Sequence, residues 1–521
     1  MPTEQTNEQE YLNRRQFVAG AGAATATALA GLAGGSAIAA TVEGDELAYM
    51  PGSLQLQLFK TGALSPVDVL EAQIERIERF NGDVNCITYK HYEAARQAAK
   101  DSEVRWRSGK ARPLDGITVG VKDEHGLAGW TMTEGSVLLK HNKLQQTDPI
   151  AERLQEAGAI LHIQTTVPEF YLHFCTWTKL WGVTRNPWNL KYSVGASSGG
   201  SGAALSGGFC TIATGSDMGG SIRIPIAWAA GYGFKPPFGR VPTLLPLAPF
   251  SGSGPMARTF EDMVRMQNVI AHPHPDSMST MPHVELPLLY PSLKGMRIAY
   301  MVDQGWAQVT PEIRSATDAA VKILSDLGAQ VDRLDFRLDI NGEDVAEGFA
   351  HMAFSGTMGG AMYKNLPRVD EMTTYGRYFT EKGTSGKYGP REANAVEADT
   401  IMLHRLYTEN VWSKGYDVII NPTHADPHVD ADYDFTTAKP TINGVPVHGF
   451  AGIVLTPIYN LLNWYPVVNV PTGLTSQRVP MGMQIVANSY QDETAMRVAA
   501  AYAAAAPRVY TGDRFPDFRA S

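Results

Sequence analysis

One stretch of the sequence, residues 194–225, restricts the possible folds of this chain more than any other. It holds nine glycines and six serines in 32 residues. Glycine loses more backbone freedom on folding than any other residue, so it weakens helices and strands alike. The stretch therefore cannot be one regular element. It must turn, let its backbone approach other groups closely and gather several hydroxyls in one place.

Regular elements surround this stretch in an alternating order. Residues 65–82 have apolar side chains at helical spacing, and Ser65 and Asp68 form a capping-box pattern at the start. Residues 148–167 predict a helix, a glycine turn and a strand, and residues 310–336 repeat that order. Alternation of this kind predicts an α/β fold built in layers.

Two segments interrupt the alternating pattern. Residues 271–292 are rich in proline and histidine, and residues 380–395 are rich in glycine and charge. Such compositions predict loops. Because regular elements resume in the same style after each segment, we interpret both as excursions on a single large domain over residues 41–521.

The charge and the cysteine content exclude two classes of protein. The 521 residues carry a net charge of −9 with no basic tract, which argues against a nucleic-acid partner. Three cysteines, Cys86, Cys175 and Cys210, are too few for a disulfide-dense scaffold, and an odd number leaves at least one thiol unpaired within the chain. The oligomeric state stays open, a homodimer included.

The first 40 residues have the pattern of an export signal. Arg14 and Arg15 precede an uncharged run of alanine and glycine that ends in Ala37-Ile38-Ala39. This order is typical of a twin-arginine signal peptide with a small-residue cleavage site. The run is also long enough for a membrane anchor, but leucine is scarce in it. We therefore expect export to the periplasm or the extracellular space, with no stable membrane insertion after cleavage.

Generic motifs do not account for the glycine-serine stretch. No lysine follows its glycines as a phosphate-binding loop requires, and the dinucleotide fingerprint G-x-G-x-x-G is absent. Residues 195–199 match the nucleophile elbow G-x-S-x-G. However, residues 185–193 before it contain proline, asparagines and a tryptophan, where the elbow needs a buried apolar strand. An α/β-hydrolase is therefore not favoured.

A serine that directly follows glycines is a better candidate nucleophile. Ser221 comes after an apolar run at 209–213 and a turn that contains Gly219 and Gly220. Such glycines let consecutive backbone N–H groups point into one concavity, as an oxyanion hole requires. The residues alone leave the base of Ser221 open. Lys122 is either a desolvated amine with a lowered pKa or a surface lysine that ends a strand.

Three long segments have the residue order of a known enzyme family. They are LDGITVGVKDEHG, GASSGGSGAALSGGFCTIATGSDMGGSIRIP and PVVNVPTGLTSQRVPMGMQIVANS. On these segments the chain is similar to the amidase signature family, and the resemblance extends over nearly all of the chain after the signal. It implies a central mixed β-sheet flanked by helices, and a Ser-Ser-Lys triad that uses no metal and no cofactor.

The resemblance also implies roles for numbered residues. Ser221 matches the nucleophile that forms the acyl-enzyme. Ser197 matches a bridging serine that follows a cis peptide bond, and Lys122 matches the base. The oxyanion hole matches the backbone N–H groups of Met218, Gly219, Gly220 and Ser221. Three further residues are expected to support this loop: Ser198, Asp217 and Arg223.

Other residues have weaker claims to a function. Residues 424–432 place histidine and aspartate at alternating positions, as a metal site would, but their proline and aspartate content favours a solvated loop. Cys175 lies where it could line the site. An apolar substrate pocket, with core packing as the alternative, is expected around the aromatic residues Trp177, Trp181, Tyr363, Phe379 and Trp464.

These observations together predict an exported amidase that hydrolyses a carboxamide or amide bond of a small molecule. One alternative is a subunit that transfers ammonia within a complex. Another is an esterase, a peptide-amide hydrolase or a nylon-oligomer hydrolase on the same fold. Because the base must be a neutral amine, we expect activity at neutral to alkaline pH. The identity of the amide is not determined by the sequence.

Overall fold

A computed structural model describes residues 45–244, 249–354 and 364–520 of the chain. The predicted export signal, residues 1–40, lies outside the described residues. Eleven strands in the described ranges form one sheet. In chain order they are β1 (Ile87–Lys90), β2 (Thr118–Lys122), β3 (Ile160–Thr165), β4 (Ile212–Asp217), β5 (Tyr232–Lys235), β6 (Gly252–Ala257), β7 (Arg297–Tyr300), β8 (Gln330–Arg333), β9 (Val418–Pro422), β10 (Val467–Leu474) and β11 (Pro480–Ala487).

The sheet is mixed, and its strand order is β1-β3-β2-β4-β6-β5-β10-β11-β9-β7-β8. β2 is parallel to both of its neighbours, and so is β7. The strands between β4 and β9 pair antiparallel, as do β1 and β3 at the edge. The prediction of a single α/β domain with a mixed central sheet is confirmed.

Helices flank the sheet. They are α1 (Asp45–Tyr49), α2 (Gly52–Thr61), α3 (Pro66–Val84), α4 (Tyr92–Arg107), α5 (Pro149–Glu156), α6 (Gly199–Ser206), α7 (Arg223–Trp228), α8 (Phe260–Ile270), α9 (Pro311–Asp326), α10 (Gly342–Phe354), α11 (Thr374–Thr384), α12 (Pro390–Asn410), α13 (Ile458–Leu461) and α14 (Asp492–Ala505). Helix α3 begins with the predicted capping box of Ser65 and Asp68. None of the helices in the described ranges combines the length and the apolar character that crossing a bilayer demands.

Buried side chains lie on both faces of the sheet. In β9, Val418 and Ile420 belong to one apolar cluster and Ile419 to another. Successive side chains of a strand point to opposite faces, so the sheet separates two cores. Helices α5, α8, α9 and α14 contribute to the first core through Ile150, Met263, Leu324 and Val498.

One of the two predicted loops is largely helical. Residues 271–292 contain no helix or strand longer than a single bridge, as their proline content predicts. Residues 380–395 instead contain the end of α11 and the start of α12, with only a short turn between them. The prediction of a loop was wrong there because Pro390 stands in the first turn of α12 and Glu392 bonds back to the Gly389 N–H at 2.9 Å, which starts a helix.

Candidate active site

The site forms where two neighbouring parallel strands end. β2 and β4 pair in the register Gly120 with Ala213. β2 then ends at Lys122, and β4 ends at Ser216 and Asp217. Carboxyl ends of adjacent parallel strands share one edge of a sheet, so residues 94 positions apart in the chain meet there: Lys122 Nζ lies 2.6 Å from Ser216 Oγ.

The Lys122 amine is buried and contacts three oxygens. Its side chain has no solvent exposure, so the surface-lysine interpretation is wrong. Nζ lies 2.9 Å from Ser197 Oγ, 2.6 Å from Ser216 Oγ and 2.7 Å from Glu124 Oε2. Burial lowers the pKa of the Lys122 amine, and the Glu124 carboxylate opposes that shift.

Ser197 and Ser221 belong to two segments that contact each other. The peptide bond between Ala196 and Ser197 is cis, and Ser197 is almost fully buried. The Ser198 backbone N–H donates to the Ser221 carbonyl at 3.2 Å. Ser197 and Ser221 both line the same cavity. The structure therefore brings Lys122, Ser197 and Ser221 to one place.

Two glycines of the stretch stand where a side chain has no room. A Cβ on Gly200 would lie 2.3 Å from the backbone nitrogen of Thr166. Gly220 has φ +122°, and a Cβ there would lie 2.0 Å from Thr456 Oγ1. Only glycine adopts such a backbone conformation without strain. The glycine content thus allows close packing of the loops that carry the serines.

A buried ion pair stabilises the turn before Ser221. Asp217 Oδ1 lies 2.8 Å from Arg223 Nη2, and neither side chain is exposed. The same carboxylate also accepts from the Gly220 N–H at 2.8 Å and from Asn460 Nδ2 at 2.9 Å. Burial alone would raise the pKa of Asp217, but Arg223, together with Asn460 and Lys235, outweighs burial and holds that pKa below its ordinary value. Asp217 therefore shapes the turn, with Arg223 as its counter-charge.

The four backbone amides expected in the oxyanion hole are not equivalent. The Gly220 N–H donates to Asp217 Oδ1 at 2.8 Å. Met218, Gly219 and Ser221 line the cavity. Three of the four residues expected in the oxyanion hole thus line the cavity, and the N–H of the fourth is bonded within the turn.

The cavity above the serines has a volume of about 800 Å³, which is within the range of small-molecule sites. Its walls are mostly apolar and aromatic. The aromatic lining residues are Phe170, Tyr171, Phe174, Phe250, Phe349 and Phe450, together with His173 and His351. The expected set of Trp177, Trp181, Phe379 and Trp464 is wrong, since none of them lines the cavity. Tyr363 lies outside the described residues.

Sequence reasoning missed three contributors to this site. Glu124 and Ser216 both contact the Lys122 amine. The centroid of the Tyr171 ring lies 5.0 Å from Lys122 Nζ. Phe170 and Tyr171 both have a left-handed backbone conformation, with φ of +51° and +64°. The signal for Glu124 was present, because a carboxylate two positions after a strand-ending lysine can return to it through a tight turn. No local signal marks the other two.

The remaining candidates have structural surroundings. Ser198 Oγ accepts from the Ser216 N–H at 3.3 Å. Cys175 is fully buried, burial raises the pKa of its thiol, and it does not line the cavity. In residues 424–432, His424 is buried against Trp228 while Asp430 is exposed, so a fully solvated loop is wrong. Among the described residues no group of three metal-ligating side chains occurs.

Comparisons with known proteins give matches over most of the chain. The family model described as Amidase matches residues 68–496. A glutamyl-tRNA(Gln) amidotransferase subunit of Exiguobacterium sibiricum is 30% identical over 475 residues, which cover 85% of this chain and 95% of that protein. An acylamidase of Rhodococcus erythropolis is 28% identical over 454 residues, covering 85% and 93%. The crystal structure of a bacterial aryl acylamidase superposes with a TM-score of 0.81 at 25% identity, over 91% of this chain and 99% of that one.

Proposed function

Since the chain belongs to the amidase signature family of enzymes, we propose that it hydrolyses the amide bond of a small molecule through an acyl-enzyme on Ser221. The observation that carries this proposal is the buried contact of 2.9 Å between Lys122 Nζ and Ser197 Oγ, because Ser197 lines the same cavity as Ser221. A hydroxyl needs a base to attack an amide at neutral pH, and this contact supplies a route for its proton.

The proposed reaction has two halves. The neutral Lys122 amine takes the hydroxyl proton of Ser197, and Ser197 takes that of Ser221, whose Oγ attacks the amide carbon. The backbone amides of Met218, Gly219 and Ser221 stabilise the oxyanion. The relay then returns a proton to the leaving nitrogen as the C–N bond breaks. Water attacks the acyl-enzyme by the same relay and releases the acid and free Ser221.

The substrate class follows from the walls of the cavity. Aromatic rings and methionines surround the serines, with Phe349 and Phe450 in contact at a centroid distance of 5.0 Å. We therefore propose an amide with a sizeable apolar or aromatic group on one side of the bond. A volume of about 800 Å³ accommodates a small molecule and is far too small for a folded protein.

A substrate panel tests the function. It should compare anilides, aliphatic amides, peptide amides, cyclic and linear oligoamides, and esters on the wild type, Ser221→Ala and Ser201→Ala. Ser201 is the matched control: it is a buried serine of the same stretch whose Oγ donates to the Thr214 carbonyl at 2.9 Å. We expect Ser221→Ala to lose the activity and the covalent label from a fluorophosphonate, and Ser201→Ala to retain both. Equal turnover by Ser221→Ala would refute the proposal.

A second candidate function is ammonia transfer within a complex. It is favoured by the 30% identity to an amidotransferase subunit. The two functions differ in what the purified chain does alone. A hydrolase releases acid and amine from an apolar amide without a partner protein, whereas a transfer subunit needs its partners and an acceptor. Turnover only on addition of partner proteins would favour the second function.

We also propose that the protein is exported through the twin-arginine route. The support is the order of Arg14 and Arg15, the uncharged run and the Ala37-Ile38-Ala39 cleavage pattern. The test is fractionation of cells that express the full chain or a variant with both arginines changed to lysine. We expect the wild type outside the cytoplasm and the variant retained within it. Identical distribution of the two would refute export by this route.

A further inference from the structure

We propose that Glu124 is a positioning residue for the base, whose carboxylate holds the Lys122 amine with its lone pair directed at Ser197. The inference rests on the proposed function, because it assigns a partner to the proposed base. It extends the three-residue relay by a fourth side chain that does not touch the substrate carbonyl.

The hydrogen-bond pattern around Lys122 assigns each proton. A neutral amine has two N–H donors and one lone pair, and a carboxylate can only accept. One N–H therefore points at Glu124 Oε2, 2.7 Å away. Ser216 Oγ lies 2.5 Å from the same Oε2, so its hydroxyl donates there and its oxygen accepts the second N–H. The lone pair is left facing Ser197 Oγ at 2.9 Å.

Glu124 is held in this position by a tight turn. Its own backbone N–H and that of His125 both donate to the Lys122 carbonyl, at 2.6 and 2.9 Å. The His125 ring is anchored between Thr214 Oγ1 at 3.0 Å and Ser253 Oγ at 3.2 Å. The turn therefore lets the Glu124 carboxylate contact the Lys122 amine although the two residues are only two positions apart.

The same contact stabilises the relay after proton transfer. When Lys122 takes the Ser197 proton, it becomes a buried ammonium whose three N–H groups face three oxygens. An unpaired buried charge is strongly unfavourable, and the Glu124 carboxylate compensates this one. The role is comparable to that of the aspartate in a Ser-His-Asp triad, which orients the base and stabilises its protonated form.

Removal of the carboxylate changes the pH dependence in a defined direction. Glu124 favours the ammonium form, so its loss lowers the pKa of Lys122 and the amine stays neutral at lower pH. Because the two groups interact strongly, the apparent pKa of the acid limb is a property of the pair and not of Lys122 alone. The other ionisable groups that face the pair are Asp123, His125, Glu134, Asp148, Tyr171 and Asp217.

The experiment measures the rate at which a fluorophosphonate labels Ser221 between pH 5 and 10, because that probe requires no knowledge of the substrate. We expect Glu124→Gln to move the acid limb to lower pH. It should also lower the plateau rate by about 10- to 100-fold, which is less than the loss of a group that transfers the proton itself, about 100-fold or more, because Glu124 acts through Lys122. Glu78→Gln is the matched control. Glu78 Oε1 lies 2.7 Å from Lys90 Nζ in an exposed carboxylate–lysine pair, and Glu78 does not line the cavity.

Each result decides between these possibilities. A Glu124→Gln profile that coincides with the wild type would overturn the inference, as would an equal shift in Glu78→Gln. If Glu124→Gln fails to fold, Glu124→Asp replaces it in the experiment. Aspartate keeps the charge but is too short to keep the contact with Lys122. The plateau rate of labelling should therefore fall, while the acid limb stays near that of the wild type. An unchanged plateau in Glu124→Asp would overturn the proposal. Failure of the wild type to react at Ser221 would instead refute the proposed function.

Discussion

Replacement of Asp217 by asparagine should destabilise the whole domain. The change keeps the shape of the side chain and removes its charge, which leaves the Arg223 guanidinium buried without a counter-charge. Both side chains have no solvent exposure, and the carboxylate contacts Arg223 Nε and Nη2 at 2.9 and 2.8 Å. Loss of one partner of such a buried pair lowers the free energy of unfolding by roughly 3–5 kcal/mol.

The corresponding change in melting temperature follows from the size of the domain. At ~2 cal/mol/K per residue, a folded domain of this length has an unfolding entropy of roughly 1 kcal/mol/K, so Asp217→Asn should melt about 3–5 °C lower. Differential scanning calorimetry at one fixed scan rate measures this. The control is Glu371→Gln, which breaks an ion pair with Arg368 whose side chains are each about half exposed, at 49% and 48%. It should leave the melting temperature unchanged within error.

The pH dependence provides a second test of the same prediction. The folded-state pKa of Asp217 is below its ordinary value of 3.8, so the stability that it contributes is present above that value and is lost as pH falls below it. The difference in free energy of unfolding between the wild type and Asp217→Asn should therefore be constant near neutral pH and become smaller below about pH 4. A variant that melts within a degree of the wild type at neutral pH would refute this reasoning.

Three further predictions concern the site. Gly220→Ala should lower kcat at least about 10-fold, because the added Cβ would lie 2.0 Å from Thr456 Oγ1. The control Gly386→Ala, at a position with φ +79° and no neighbouring atom, should leave kcat unchanged. Similar kcat values in both variants would exclude an effect of the clash on catalysis. Phe349→Ala should raise the ratio of kcat/KM for bulky over small amides about 10-fold by enlarging the cavity, and an unchanged ratio would remove Phe349 from the specificity wall. In the wild type, kcat/KM should rise from acid to a plateau as Lys122 loses its proton; a profile that is flat down to about pH 4 would exclude a lysine base.

Features decided by nearby residues could be predicted from the sequence. The capping box at Ser65 and Asp68 starts α3 as expected, because its hydrogen bonds join residues three positions apart. The alternation of strands and helices predicted the layered fold, because each of these elements is formed by residues that are close together in the sequence. The failure at residues 380–395 is also local: the helix signal of Pro390 and Glu392 was present and was outweighed by the count of glycines.

The sequence pattern also named Lys122, Ser197 and Ser221 as the candidate site, because their segments are long and specific. Their proximity depends on the pairing of β2 with β4, which no single segment determines. The same holds for the ion pair of Asp217 with Arg223, since its burial depends on Asn460, 243 positions away. The engagement of the Gly220 N–H by Asp217 also became visible only in three dimensions.

The sequence by itself therefore determined the fold class, the family and the candidate residues of the site, since these depend on short-range order and on long continuous segments. The tertiary structure alone decided the shape of the cavity and the surroundings of the base. The walls come from Phe170, Phe349 and Phe450, which are up to 280 positions apart in the sequence. Which side chains meet across such distances depends on how whole strands and helices pack, and no local pattern records that packing.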